Sequence, residues 1–436
     1  MNELLQLLEN SIRYRLEQSF DLESITPVPE ITSETLISDE PIVKFIIDQD
    51  LHHNDVIWLL LALAPHIQPQ LLTNIIADYL PVGGELPDLG GTKAKNHRGI
   101  IPTGETVIFI LAGKDVATRI QQKQFMDSES KLFEKNILRL DDVPTGEPKL
   151  SGRLIIDDEY IDLLTTGEIV KPKMTANFPA QLIQTNLEWS DLILNNQVMK
   201  EVHEIQTWLQ HNDHVMNQWN MKHIIKPGFR AMFYGPPGTG KTLTAGLLGK
   251  YTERDVYRVD LSMVVSKYIG ETEKNLSLLF DKAANKDWIL FFDEADAIFG
   301  KRTNVRDAHD KYANQEVSYL LQRIESHPGL VILASNFKSN IDTAFSRRFQ
   351  SMIEFKSPAY EERLLLWKNN LPKGVPLEES INLHELSKRY DITGANIVNV
   401  VQYACLRTLE QSNDEILLEH IVSGIKKEYV KEGKMM

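Results

Sequence analysis

A chain of 436 residues has room for about three domains, and its 42% hydrophobic and 25% charged residues are those of a globular protein. The net charge of −14 argues against a dedicated nucleic-acid binder. Cys405, the single cysteine, excludes an intrachain disulfide and a cysteine-based metal site, as expected of a reducing compartment. The longest strongly apolar run, Ile57 to Ala64, is too short to cross a bilayer, and the opening MNELLQLLEN lacks the basic region of a secretory signal. The expectation is a soluble, cytoplasmic protein with no membrane partner and with nucleic acid disfavoured as one.

Residues 1–130 read as mainly helical, with apolar spacing in Leu4–Leu16, Ile42–Ala64 and Leu71–Leu80, interrupted by the Gly/Pro-rich loop 81–91. Twelve carboxylates against Arg13, Arg15 and Lys44 make residues 1–60 either a solvated acidic face or a docking surface for a basic partner. Lys93, Lys95 and Arg98 form a basic cluster too small to argue for nucleic acid. Residues 131–186 hold short apolar runs between turn signals, a small β-containing segment and linker. Residues 187–357 alternate helices with buried strands, the pattern of an α/β fold with a parallel sheet, and residues 358–436 read as helical.

Within the α/β stretch, the apolar run Ala231–Tyr234 leads into Gly235, Pro236, Pro237, Gly238, Thr239, Gly240, Lys241 and Thr242, which fit G-x-x-x-x-G-K-[ST]. The glycines let the backbone curl so that its N–H groups cradle phosphate oxygens. Lys241 reaches the β- and γ-phosphates and the Thr242 hydroxyl ligates Mg²⁺, so ATP and Mg²⁺ are the expected cofactors. A second apolar run, Ile289–Phe292, ends in Asp293 and Glu294; paired carboxylates there are costly unless they face a cation or a polar cleft. In a nucleotide enzyme Asp293 belongs to the Mg²⁺ shell and Glu294 polarises the attacking water. A third run, Leu330–Ala334, ends in Ser335 and Asn336, whose amide can orient the same water. Arg347 and Arg348 follow; adjacent arginines are either solvated or act as arginine fingers on a neighbouring subunit's γ-phosphate. Lys267, Tyr268, Ile269 and Gly270 are either core packing or an exposed loop that grips a substrate.

The segments GPPGTGKT, SKYIGETEKN, ILFFDEAD, ILASN, SRRF and ITGANI, in this order and spacing, resemble the AAA branch of the AAA+ ATPases over residues 187–436. The resemblance implies a P-loop AAA+ module (a parallel sheet flanked by helices), a C-terminal helical lid and a homo-oligomer, usually a hexameric ring. It assigns Lys241 and Thr242 to Walker A, Asp293 and Glu294 to Walker B and Asn336 to sensor 1. Arg347 and Arg348 match the arginine fingers, and Lys267–Gly270, above all Tyr268 and Ile269, the pore loop that grips a polypeptide. Gly394 and Ala395 match the lid segment beside the nucleotide, and Asn396 stands where the family often has Asp. The implied activity is ATP-driven remodelling, unfolding or disassembly of protein substrates, with the helical amino-terminal region selecting clients. A slow, nucleotide-gated scaffold and a nucleic-acid motor or loader are the alternatives. Segments 97–113 and 299–325 also look like those of AAA ATPases encoded with bacterial contractile injection systems, which implies sheath or tube components as clients. The sequence contains no HExxH, the zinc-protease signature.

Overall fold

The computed structural model describes residues 1–22, 38–82, 84, 86–175, 178–261, 271–295, 318–336 and 347–434. The chain divides into two compact units, Met1–Pro172 and Lys173–Met436. The stretch 131–186 is shared between them.

The first unit is built on helices α1 (Asn2–Ser19), α2 (Pro41–Asp48), α3 (His53–Ile67), α4 (Leu71–Tyr79), α5 (Gly104–Ala112), α6 (Val116–Ser128), α7 (Lys131–Glu134) and α8 (Asp158–Thr166). Leu4, Leu8, Ile12 and Leu16 repeat every fourth residue, so α1 buries one stripe. In contrast, α3 is buried on all sides from Asp55 to Ala64, because α1, α5 and α7 surround it. Two antiparallel pairs complete the unit: β1 (Thr92–Lys93) with β2 (Ile100–Ile101), and β3 (Leu138–Leu140) with β4 (Leu154–Ile156). Among the described residues no single helix is long and apolar enough to cross a membrane.

The second unit holds a six-stranded sheet in the order β10-β6-β9-β8-β7-β5. The strands are β5 (Ala180–Ile183), β6 (Phe229–Tyr234), β7 (Val256–Val259), β8 (Ile289–Phe292), β9 (Leu330–Ser335) and β10 (Ser351–Glu354). All pair in parallel except β5, which runs antiparallel to β7 at the edge. Strand side chains alternate between faces, and the central strands β6, β8 and β9 are nearly continuous apolar runs because both faces are covered. Met232, Leu290, Phe292, Val331 and Leu333 pack on one face against α11 (Glu271–Asn285) and the helical stretch 318–326. Ala231, Phe233, Ile289, Phe291 and Ile332 pack on the other against α9 (Asn196–Asp213) and α10 (Lys241–Thr252). The result is a three-layer α/β fold.

Four helices follow the sheet: α12 (Tyr360–Asn370), α13 (Leu383–Arg389), α14 (Gly394–Glu410) and α15 (Leu418–Lys431). They enclose a core of their own around Trp367, Ile397, Val400, Ile421 and Ile425.

Candidate nucleotide-binding site

Register brings three strand ends together. Tyr234 pairs with Ser335, and Phe292 pairs with Leu333, so Gly235, Asn336 and Asp293 leave the sheet side by side at its carboxyl edge. The loop Gly235–Gly240 then turns back into α10 with Gly235, Gly238 and Gly240 at φ of 140°, 74° and 98°. At Gly235 a Cβ would lie 2.0 Å from the Phe355 carbonyl oxygen, so no larger residue fits the turn. The free N–H groups that begin α10, together with its dipole, make an anion site.

Lys241 is buried, and its ammonium donates to the carbonyls of Gly235 (2.7 Å) and Pro236 (2.9 Å) and to Asn336 Oδ1 (3.4 Å). A buried ammonium held at the mouth of the loop suits a polyanion. Thr239 and Thr244 hydroxyls donate to the Pro236 and Gly240 carbonyls, both at 2.9 Å, and fix the loop's curl. Thr242 follows Lys241 in the first turn of α10 and lines the same cavity.

Asp293 Oδ1 accepts the Glu294 N–H at 3.0 Å, and Asp293 Oδ2 pairs with Arg258 of β7 at 3.2 Å. Glu294 sits at φ 51°, a left-handed conformation that a side chain with a Cβ adopts at a cost of roughly 1–2 kcal/mol. This turn sets both residues in the lining of the cavity.

The cavity has a volume of about 470 Å³, within the usual range for a small-molecule pocket. Pro237–Leu243, Asp293, Glu294 and Asn336 line its polar end. Leu192, Ile193, Val198 and Leu366 give the same cavity an apolar recess beside the loop, with Asp191 and Asn370 as polar groups. Sequence reasoning missed this recess, because its residues come from the α9 approach and the lid and carry no motif. A planar base fits the recess while phosphates meet the loop, so the residues present fit a nucleotide.

Gly394 and Ala395 stand where the lid reaches the loop, and the Ala395 N–H donates to the Gly238 carbonyl at 3.3 Å. Asn396 reciprocates with the Thr393 N-cap: its Oδ1 accepts the Thr393 N–H at 2.9 Å, and its own N–H donates to Thr393 Oγ1 at 3.4 Å. Its Nδ2 donates to the buried Glu428 carboxylate at 2.9 Å, a bond that Asp could not make.

Arg347 and Arg348 lie apart from this site. They precede β10, whose first residue Ser351 pairs with Ala231, so they stand at the amino edge of the sheet. Six residues of β6 span about 20 Å between the two edges. Arg348 is ion-paired with Glu325. Lys267, Tyr268, Ile269 and Gly270 lie outside the described residues.

Residues 231–357 match the family "ATPase family associated with various cellular activities (AAA)". Cell division protein C of Sulfolobus acidocaldarius is 32% identical over 198 residues, covering 43% of this chain and 52% of that protein. The proteasome-activating nucleotidase of Saccharolobus solfataricus is 30% identical over 219 residues, 48% of this chain and 56% of that protein. The ATP-dependent zinc metalloprotease FtsH 2 of Thermoanaerobacter is 28% identical over 256 residues, 56% of this chain and 49% of that protein. The chain thus spans about half the length of each of these relatives. With its loop, carboxylate pair and strand-end asparagine converging on one cavity, the second unit of this chain carries an AAA ATPase module.

Proposed function

We propose that this chain is a cytoplasmic, ATP-hydrolysing protein that works as a homo-hexameric ring and remodels, unfolds or disassembles protein substrates. The observation that carries this reading is the separation of parts along one sheet. Lys241, Asp293, Glu294 and Asn336 converge at the carboxyl edge, while Arg347 and Arg348 stand at the amino edge. A chain so built cannot bring its own arginines to its own cavity; a second copy docked edge to edge can.

Bound Mg·ATP supplies the phosphoanhydride to be cleaved and a metal that offsets charge on the phosphates. Lys241 and the loop N–H groups hold the phosphates. The Thr242 hydroxyl and Asp293 carboxylate offer the metal two oxygen ligands, a small set of the kind Mg²⁺ takes alongside phosphates and water. The Glu294 carboxylate takes a proton from the attacking water, which the Asn336 amide orients. Arg348 of a second copy stabilises charge in the transition state, which couples hydrolysis to the contact between copies.

Two relatives bear names tied to proteolysis, which supports a protein rather than a nucleic acid as substrate; Tyr268 in the SKYIGE segment is the proposed grip. The narrower proposal, that clients are sheath or tube components of a contractile injection particle, rests on segments 97–113 and 299–325. Expression of Glu294→Gln as an ATP-locked trap in the native cell tests both levels. Enrichment of sheath or tube proteins over a Lys241→Ala control supports the narrow reading. A broad set of unrelated clients removes it and leaves a general unfoldase, and no enriched protein counts against remodelling.

A further inference from the structure

The loop between α9 and β6 gathers three exposed apolar side chains within seven residues. Trp219 is 67% exposed and Ile224 66%, with Ile225 exposed beside them. All three are large apolar side chains whose burial elsewhere would be favourable. The loop is built rather than slack. A π-helical turn, His214–Gln218, ends α9, and the Trp219 ring meets His214 edge-on at 5.6 Å and 81°. Asn217 bonds back to Asp213, and Asn220 takes φ 53° to reverse the chain. π-helical turns inside or at the end of α-helices cluster at functional sites.

The position of the loop matters as much as its composition. It ends at Gly228, just before β6 begins, so it lies at the amino edge of the sheet. Gln350 ties it to the arginine segment: its Oε1 accepts the Arg230 N–H at 2.9 Å and its Nε2 donates to the Gly228 carbonyl at 3.4 Å. Trp219 and Ile224 therefore share an edge with Arg348. The opposite edge carries complementary groups, because the lining of the nucleotide cavity includes exposed Leu187 and Val398 together with the carboxylates of Asp191 and Glu362. Exposed Lys222 and Lys226 flank Ile224 and Ile225.

We propose that the loop Trp219–Lys226 is the apolar anchor of the contact between copies of this chain, seated against the rim of the second copy's nucleotide cavity. The inference rests on the ring reading above and deepens it. Apolar side chains meet Leu187 and Val398, and lysines meet Asp191 and Glu362. Such a contact joins two different surfaces, head to tail, the type that closes into rings. Aromatic anchors near the centre of an interface carry most of its energy.

The test uses the Glu294→Gln chain with Mg·ATP, followed by sedimentation velocity across concentration and by acrylamide quenching of tryptophan emission. Trp58, Trp288 and Trp367 are buried and Trp189 and Trp208 half-buried, so Trp219 dominates the quenchable signal. Assembly should shield that signal. Trp219→Ala and Ile224→Ser should each raise the concentration of half-assembly at least tenfold, with unchanged monomer melting, while Trp219→Phe assembles near normally. Assembly of the Ala and Ser variants at the parent's concentration, or full quenching of Trp219 within the assembled parent, would overturn the loop proposal and leave the ring intact. A parent that stays monomeric at every concentration would overturn the ring reading and this one with it.

Discussion

In the lid, the Asn396 side-chain amide donates to the Glu428 carboxylate, with Asn399 and Lys431 completing a four-residue polar cluster. Burial opposes the charge on Glu428, yet the bonds from Lys431, Asn396 and Asn399 outweigh it and hold the carboxyl below the ordinary glutamate range. An Asp at position 396 would keep the N-cap but set a second carboxylate against Glu428. Asn396→Asp should therefore destabilise the lid by about 2 kcal/mol near neutral pH. Asn396→Asp combined with Glu428→Gln should recover most of that loss in denaturant melts. Equal stability of Asn396→Asp and the parent would remove the account.

Glu294→Gln keeps the shape of the turn after β8 but removes the group that accepts the proton. Turnover should fall at least about a hundredfold, the usual range for a positioned base, while ATP affinity stays within a few-fold. Steady-state phosphate release and equilibrium nucleotide binding measure the two arms.

Gly238 lies at φ 74° beneath the lid, where a Cβ would sit 2.7 Å from both Ala395 Cβ and Thr393 Oγ1. Gly238→Ala should cost the closed lid about 1–2 kcal/mol and so weaken ATP binding about tenfold. Titration calorimetry reads this directly, and an unchanged Kd would mean that the contact between Gly238 and Ala395 does not matter for binding.

Arg348→Ala removes a cation from the amino edge, far from its own cavity. Turnover should drop about a thousandfold with little change in ATP affinity. Mixed assemblies sharpen the test: Arg348→Ala and Glu294→Gln chains combined should regain part of the activity, since one copy's arginine completes another's intact site. Absence of any rescue would count against action between copies.

His327 is buried beside Phe280, near Arg323 and Arg230, and burial pushes its imidazole down to about 4. The unfolded chain binds this proton below about 6.5 while the folded chain refuses it. Stability from this residue is thus complete above pH 6.5 and declines as pH falls toward 4, by roughly 3 kcal/mol in all. Melts between pH 7 and 4 should show a shallower acid slope for His327→Leu than for the parent.

Legibility varied with the physics behind each feature. The phosphate loop could be read because its backbone turn admits only glycine at Gly235, so geometry is written into residue type. Asp293 and Glu294 could be read because two carboxylates after Ile289–Phe292 have no cheap structural explanation. Residues 131–186 read as β-containing, but that β5 joins the large sheet was not legible: four residues with partly exposed positions carry no strong period, and only pairing with β7 sets them at its edge. Arg258 was equally silent, since its approach to Asp293 crosses from one strand to the next.

By itself the sequence determined the chemistry of the module: a loop for phosphates, a carboxylate pair and an amide, each at the end of an apolar run. Those signals are local, because backbone conformation and strand burial depend on neighbours in the chain. Tertiary structure alone decided which ends meet. Parallel pairing set Gly235, Asp293 and Asn336 on one edge, sent Arg348 and Trp219 to the other, and closed the base recess with Leu366 of the lid. Such contacts join residues tens to more than a hundred positions apart, and no local pattern encodes them.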